Sequence, residues 1–323
     1  MKNPITLNFS SAELPPKDIT GNLPDDCKYR VAYANAELIE LVEGVAICQY
    51  YSHILYFMEV IEFKLHTDLY ASFSVDKPSL FQFFMLQGKI AFFTPDQQPI
   101  AQALTGICYA AYNEPGEYCY HLPAGVHCLC SFTLLPRWLQ MKTNSYLGLY
   151  PFVEKMDDHE VLYGHMPSCM MNRKISDDLL ALFNLEETAK NDLESTQSLI
   201  LKRIIAEYQK LVQIKLAHPI YRIRDYLEEK YIDFELNNQK LIEAFHITEK
   251  TLIENFKKEF NITPHLYLTK VRMQHAKRML SKDKKDILEV YGAVGYKDMH
   301  SFSIQFRKFF GYPPSAITKA ILF

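Results

Sequence analysis

Two rhythms of apolar and polar positions divide this chain. Up to about residue 135, apolar residues recur in short runs at every second position, the period of a strand with one face turned to a core. From His53 to Leu65 the alternation puts Phe57, Glu59, Ile61, Phe63 and Leu65 on one face. The run FQFFMLQGKIAFF, Phe81 to Phe93, is two apolar stretches broken at Gln87-Gly88, which reads as a hairpin. Tyr118 to Leu122 and Val126 to Leu134, joined by Pro123-Ala124-Gly125, repeat the signal, with Val126, Cys128, Cys130, Phe132 and Leu134 sharing a face. Short strands at this spacing predict a sandwich or small barrel.

After Pro167 the period lengthens to that of a helix. Ile175, Leu179, Leu182, Phe183 and Leu185 form one stripe; Leu193, Ile200, Ile204, Tyr208 and Leu211 form a second. They predict two amphipathic helices with a polar break near Glu194 to Ser198. The second stripe fits either a helix that covers the barrel or a dimerisation helix. His218-Pro219 opens a new region, since proline sits well in a first helical turn. From there seven short helices are expected: Pro219 to Lys230, Asn238 to Phe245, Glu249 to Phe260, Pro264 to Leu280, Ile287 to Val294, Met299 to Phe310 and Pro314 to Ile321. Thr263 before Pro264, the capping-box spacing of Asp286 and Glu289, and Asp298 mark helix starts; Gly311 before Pro313 and Pro314 marks a stop. The expected fold class is α+β and multidomain, with a β-rich domain over residues 1–167, a helical linker over 168–217 and an all-α domain over 218–323.

Charge sharpens that division. The net charge is −3. Residues 213–323 carry 19 Lys and Arg against 13 Asp and Glu, a net +6, which leaves −9 on the remainder. A basic C-terminal third on an acidic chain points to a polyanionic partner for that third alone. The seven cysteines include no C-x-x-C pair and read as buried reduced thiols. No apolar run approaches the roughly 18 residues that span a bilayer, and the N-terminus lacks a secretory pattern, so a cytoplasmic protein with no membrane partner is expected.

Two segments of the helical region resemble each other. LIEAFHITEKTLIENFKKEF (Leu241 to Phe260) and ILEVYGAVGYKDMHSFSIQFRKFF (Ile287 to Phe310) are each a short helix, a tight turn and a longer helix. The longer helices carry Leu252 with Phe256 and Phe302 with Phe306, then the basic pairs Lys257-Lys258 and Arg307-Lys308. This is a duplicated helix-turn-helix, a motif that lays its second helix in the major groove of double-stranded DNA. The base-reading candidates are Lys250, Ile253, Glu254 and Lys257 on the first recognition helix and Met299, His300 and Ser303 on the second, with Lys308 beside them. Ile304 is expected to pack inward. The helix between the motifs, about 26 Å long, carries Lys270, Arg272, Lys277 and Arg278, all placed as phosphate contacts.

With these landmarks in order (Thr248, Leu252, Phe256, Pro264, Arg272, Ala276, Leu280, Ile287, Gly295, Tyr296, Phe302, Phe306, Gly311, Pro314), the stretch Pro219 to Ile321 closely resembles the AraC/XylS family of bacterial regulators. The resemblance implies a transcription regulator, commonly an activator, with a cupin-like effector domain before the DNA-binding domain, and it implies a homodimer and RNA polymerase as partners. This chain departs from the pattern at Ile242 and Tyr291 (usually small residues), at His246 (usually Gly), at Glu254 and Ile304 (usually Arg) and at Ile317-Thr318 (usually an aromatic-Arg pair).

The N-terminal domain is expected to bind a small apolar or aromatic effector, with Tyr109, Tyr112, Tyr118 and Tyr120 as candidate contacts. His121 and His127 flank Pro123-x-Gly125, a faint echo of metal-binding cupins, but the H-x-H pair is missing. No metal, cofactor or catalytic group is expected, and no nucleophile elbow, phosphate loop or dinucleotide fingerprint is present. Two functions fit: a ligand-controlled DNA-binding regulator, or a protein-interaction module that keeps the fold without reading DNA.

Overall fold

The computed structural model describes residues 5–12, 14–135, 163–186 and 190–320. It divides into two compact units, Met1–Gln213 and Ile214–Phe323.

In the N-terminal unit the strands are β1 (Ile5–Asn8), β2 (Lys17–Asp18), β3 (Asn35–Leu41), β4 (Gly44–Ser52), β5 (Tyr56–Leu65), β6 (Leu69–Val75), β7 (Ser79–Gln87), β8 (Lys89–Phe93), β9 (Pro99–Leu104), β10 (Ile107–Asn113), β11 (Gly116–Leu122), β12 (Gly125–Leu134), β13 (Tyr163–His165) and β14 (Cys169–Met170). They form two antiparallel sheets. A larger one runs β13-β10-β7-β12-β5-β4-β3-β2, with β14 also paired to β10; a smaller one runs β1-β6-β11-β8-β9. Apolar residues of both sheets meet in one core, among them Ile61, Phe63, Phe83 and Leu129 from the larger and Leu69, Ile90, Tyr120 and Leu122 from the smaller.

The two hairpin-like signals are not hairpins. β7 belongs to the larger sheet and β8 to the smaller, and β11 and β12 divide in the same way. Gly88 makes the first crossing possible. Its φ is +86°, and a Cβ there would stand 2.2 Å from His127 Nδ1 and 2.8 Å from the Val126 carbonyl oxygen. The chain turns across the sandwich at a place where only a hydrogen fits. Alternation marks the two faces of a strand, but it does not say which sheet the next strand joins.

Helices α1 (Arg173–Phe183) and α2 (Lys190–Leu216) belong, through Gln213, to this same unit. Most of the region expected as a helical linker, residues 168–213, falls within this unit. Ile200, Ile204, Ile205 and Tyr208 are fully buried. The Tyr208 hydroxyl accepts from the Ala110 amide at 2.9 Å, and the His53 ring bonds the Glu194 carbonyl at 3.2 Å. The Tyr33 hydroxyl donates to the Leu182 carbonyl at 2.9 Å, and Arg203 on α2 pairs with Asp178 on α1. With α1 and α2 on one face and the smaller sheet on the other, the central strands β5, β7 and β12 are buried on both faces, which accounts for their near-continuous apolar runs. The expected polar break at Glu194 to Ser198 lies inside α2: Ser198 Oγ bonds back to the Glu194 carbonyl at 2.9 Å, and Gln197 is fully buried.

The C-terminal unit is helical: α3 (Pro219–Glu229), α4 (Asn238–Phe245), α5 (Glu249–Phe260), α6 (Pro264–Ser281), α7 (Ile287–Ala293), α8 (Met299–Phe310) and α9 (Pro314–Ala320). The expected last residue of α9, Ile321, lies outside the described residues. Side chains of Asn237, Thr248, Thr263, Asp286 and Asp298 accept amide hydrogens at the five helix starts that follow them, satisfying donors that have no partner within a helix. Two cores result. Leu227, Leu241, Leu252, Phe256 and Leu268 form the first; Met273, Ala276, Leu280, Val290, Phe302 and Phe306 form the second. Helix α6 serves both, its first half facing one core and its second half the other.

Two backbone positions test this account with opposite signs. His246 closes α4 in the left-handed region at φ 51°, and Gly295 follows α7 at φ +80°. A left-handed conformation is costly for a residue with a Cβ, so His246→Gly should stabilise the chain, by up to about 1 kcal/mol after glycine's own entropy is offset. A Cβ at Gly295 would meet the Tyr231 carbonyl oxygen at 2.4 Å, so Gly295→Ala should cost about 2 kcal/mol or more. Urea midpoints of the two variants check both; shifts in the same direction would contradict the assignment of strain.

Candidate nucleic-acid interface and ligand cavity

Each helix-turn-helix buries one face of its second helix and leaves the other to solvent. On α5, Leu252 and Phe256 are fully buried, while Lys250, Glu254, Lys257 and Lys258 are exposed and Ile253 is half-buried. On α8, Phe302 and Phe306 are fully buried, while Met299, His300, Arg307 and Lys308 are exposed and Ser303 is half-buried. The eight residues predicted for base and phosphate contact thus lie away from the cores, four on each second helix.

The two exposed faces differ in chemistry. On α5 it is charged, and Glu254 stands 4.0 Å from Lys250 one turn earlier. On α8 it sets Met299 and Ile304 among His300, Ser301 and Ser303 in the first two turns and is basic at its end. Ile304, expected to pack inward, is 55% exposed, and Met299 is 45% exposed. The reason is helical phase: with Phe302 and Phe306 facing the core, position 304 falls on the opposite side.

The cations of α6 are engaged within the unit and do not form a free phosphate row. Arg272 is buried. Its Nε donates to the Tyr231 carbonyl at 2.8 Å, a terminal nitrogen donates to the Asp233 carbonyl at 2.7 Å, and the guanidinium lies over the Tyr296 ring. Burial lowers its pKa from the usual value, and burial draws Lys270 down to about 8. Lys277 sits over the Phe310 ring at 5.0 Å, and Arg278 pairs with Asp283 at 3.7 Å. Spacing along a helix cannot separate a buried arginine from an exposed one; the nearby carbonyls that receive Arg272 lie some forty residues earlier in the chain.

In the N-terminal unit a cavity of about 100 Å³ lies between the sheets. Its walls are mainly apolar, including Ile61, Phe63, Phe83 and Leu129 on one side and Phe73, Phe92 and Tyr120 on the other. Glu59, Asn113, Ser131 and His165 add polar atoms. Of the four tyrosines predicted for an effector, Tyr109 and Tyr120 line the cavity. Tyr112 and Tyr118 do not: their hydroxyls bond Glu114, the first at its carboxylate and the second at its backbone carbonyl. Glu59 was legible as the lone acid on the apolar face of its strand.

The two histidines of the faint metal signal have separate ties. His127 Nδ1 accepts from the Lys89 amide at 3.1 Å and its Nε2 bonds the Pro123 carbonyl at 2.7 Å, whereas His121 pairs with Asp68 at 3.1 Å. Burial lowers the His127 pKa, so the ring favours its neutral form there. Among the described residues no group of three or more His, Cys, Asp and Glu is arranged to hold a metal ion, and no helix is long and apolar enough to cross a membrane.

Stability separates the roles of Ile304 and Arg272. Ile304→Ser should change the unfolding free energy by less than about 0.5 kcal/mol, as for an exposed position. Arg272→Met removes two charge-assisted bonds, to the Tyr231 and Asp233 carbonyls, and should cost about 2–4 kcal/mol. Denaturant titration measures both; a large loss at Ile304 would return it to the core.

Residues 241–320 match the helix-turn-helix domain family. The HTH-type transcriptional activator RhaS of Pectobacterium carotovorum is 27% identical over 145 residues, 42% of this chain and 52% of that protein. Its namesake from Escherichia coli is 26% identical over 138 residues, 41% of this chain and 49% of that protein. The chain spans about half the length of these curated relatives. Among solved structures, the C-terminal domain of AraT, a response regulator from Geobacillus stearothermophilus, is 28% identical with a TM-score of 0.32, covering 32% of this chain and 87% of that one. With two helix-turn-helix cores built on one shared helix, the C-terminal unit of this chain is an AraC-type helix-turn-helix domain.

Proposed function

We propose that this protein is a transcription regulator that binds double-stranded DNA through α5 and α8 and is controlled by a small molecule held in the N-terminal cavity. The observation that carries the reading is the pair of second helices, each fixed by a phenylalanine core and each presenting an open face that ends in two basic residues. Duplex DNA is the partner such faces fit, because base edges in the major groove admit one helix apiece. Helix α6 is about 27 Å long at 1.5 Å per residue, a spacer near one turn of DNA. Work on bacterial DNA sets the location as cytoplasmic. A homodimer and contact with RNA polymerase belong to the same proposal, on the strength of the resemblance.

The two faces divide the reading of sequence. On α5, Lys250 and Lys257 meet guanine or phosphate, and Glu254 accepts from a cytosine amino group or acts as an electrostatic brake. On α8, Met299 and Ile304 meet thymine methyl groups, His300 and Ser303 add polar contacts, and Arg307 and Lys308 face phosphates.

Binding measured by fluorescence anisotropy should weaken steeply with salt, with a log–log slope of about −0.9 for each phosphate neutralised. Glu254→Arg should tighten binding to every sequence if the carboxylate only repels; it should weaken the preferred site alone if the carboxylate reads a base. Binding undetectable even at low salt would leave the chain as a protein-interaction module on this fold.

Thymine-to-uracil replacement removes only the methyl group. In the half-site under α8 it should cost about 1 kcal/mol per contacted methyl, and the cost should vanish in Ile304→Ser combined with Met299→Ser. An unchanged affinity on uracil DNA would remove the apolar reading of α8.

A further inference from the structure

The cavity of the N-terminal unit has a feature that a packing gap does not require. Tyr120 is 4% exposed, lines the cavity, and its hydroxyl is buried without a hydrogen-bond partner. Leaving a hydroxyl unpaired in an apolar core costs more than omitting it, because water is given up and nothing replaces it. Phenylalanine would fill the same ring space between Phe63 and Phe73, the rings that flank Tyr120. The hydroxyl makes physical sense when something else enters the cavity and bonds it.

Three further observations define that occupant. The first is size: the cavity is about 100 Å³, the scale of a single ring, since a dry apolar cavity of roughly 150 Å³ holds benzene. The second is shape and polarity. The walls are flat rings at steep angles, with Phe83 and Phe92 at 89° and centroids 5.6 Å apart, an arrangement suited to the edge of another ring. The third is charge. No Lys or Arg is among the described residues that line the cavity, and a carboxylate, Glu59, is. An anion there would be stripped of water with no cation beside it to offset the cost.

We propose that the cavity is the binding site for a neutral, single-ring compound bearing one hydroxyl or carbonyl group, which is held by the Tyr120 hydroxyl. The proposal rests on the reading above that this unit responds to a small molecule, and it narrows that molecule's class to exclude carboxylates and other anions.

The test uses the full chain and three probes that share a ring, namely phenol, toluene and benzoate, followed by calorimetry and by the shift in melting temperature. Phenol should bind and toluene should bind more weakly. Benzoate should give no saturable shift. Tyr120→Phe should weaken phenol about tenfold, the usual effect of one hydrogen bond, with toluene unchanged and with the unliganded protein at least as stable as the wild type. Leu129→Phe, which fills the cavity, should abolish both. Benzoate binding as tightly as phenol, equal phenol affinity in Tyr120→Phe, or no saturable shift from any neutral ring would each overturn the proposal.

DNA affinity of the same samples, with and without phenol, keeps the two ideas apart. Phenol that binds at Tyr120 while DNA affinity stays constant supports the ligand site and refutes its regulatory role. Intact DNA binding with no ring bound overturns the ligand class alone.

Discussion

The contact on which the C-terminal unit depends is Arg272 against the loop between α3 and α4. Its guanidinium bonds the carbonyls of Tyr231 and Asp233, which belong to the first helix-turn-helix half, while Gly295 of the second half presses on the same Tyr231 carbonyl with no room for a side chain. Three sequence-distant segments thus meet at one buried cation. The bonds are charge-assisted; the Asp233 carbonyl also accepts from the Leu236 amide at 3.0 Å, so Arg272 joins a turn that is already hydrogen-bonded. The Tyr296 ring closes the remaining side at 5.5 Å from the guanidinium carbon. Because the first core lies before Arg272 along α6 and the second after it, the same contact sets the rotation of one helix-turn-helix against the other. Their mutual position sets how the exposed faces of α5 and α8 stand to each other, so a buried residue constrains both faces.

That division of labour explains how the chain departs from its family's pattern while keeping the fold. The fold resides in Leu252, Phe256, Phe302, Phe306, Arg272 and Gly295, all buried. The departures at Glu254 and Ile304 are exposed, where a change of side chain costs little stability. His246 shows a third kind of departure: the turn keeps its left-handed backbone although the residue is not glycine, because histidine is among the side chains that tolerate that region better. At Glu254 and Ile304 the change of chemistry falls on exposed positions, whereas Ile242, Tyr291 and Ile317 are departures that pack against the two cores.

What was legible in the sequence follows the range of the forces involved. The seven C-terminal helices were readable nearly to the residue, since capping side chains and prolines act within three or four positions of the bond they make. Strand faces were readable for the same reason. The destination of a strand after a turn was not: Gln87-Gly88 and Pro123-Ala124-Gly125 carry the residues of a hairpin, yet each sends the chain to the opposite sheet. At Gly88 the difference lies in His127, whose ring fills the space above the glycine from 39 residues away. Arg272 and Ile304 lie beyond the same limit: the partners of the first are some forty residues away, and the second is apolar yet falls opposite Phe302 and Phe306 in helical phase.

The N-terminal core shows why a cavity persists where the chain is most aromatic. Rings are rigid, and edge-to-face pairs such as Phe73 with Phe92 and Phe83 with Phe92 stand nearly perpendicular. Planar groups at right angles leave gaps that aliphatic side chains would fill by changing rotamer. Collapse of the sheets would close such a gap, but the larger sheet is held from behind by α1 and α2 through Tyr208, His53 and Tyr33, and the smaller is tied to it by the crossings at Gly88 and Pro123. A core braced on both sides cannot relax inward, so the void keeps its cost and its shape. A bound molecule that fits the void recovers the lost contacts without first opening it. Preorganisation of this kind lets a small compound bind with most of its contact energy intact.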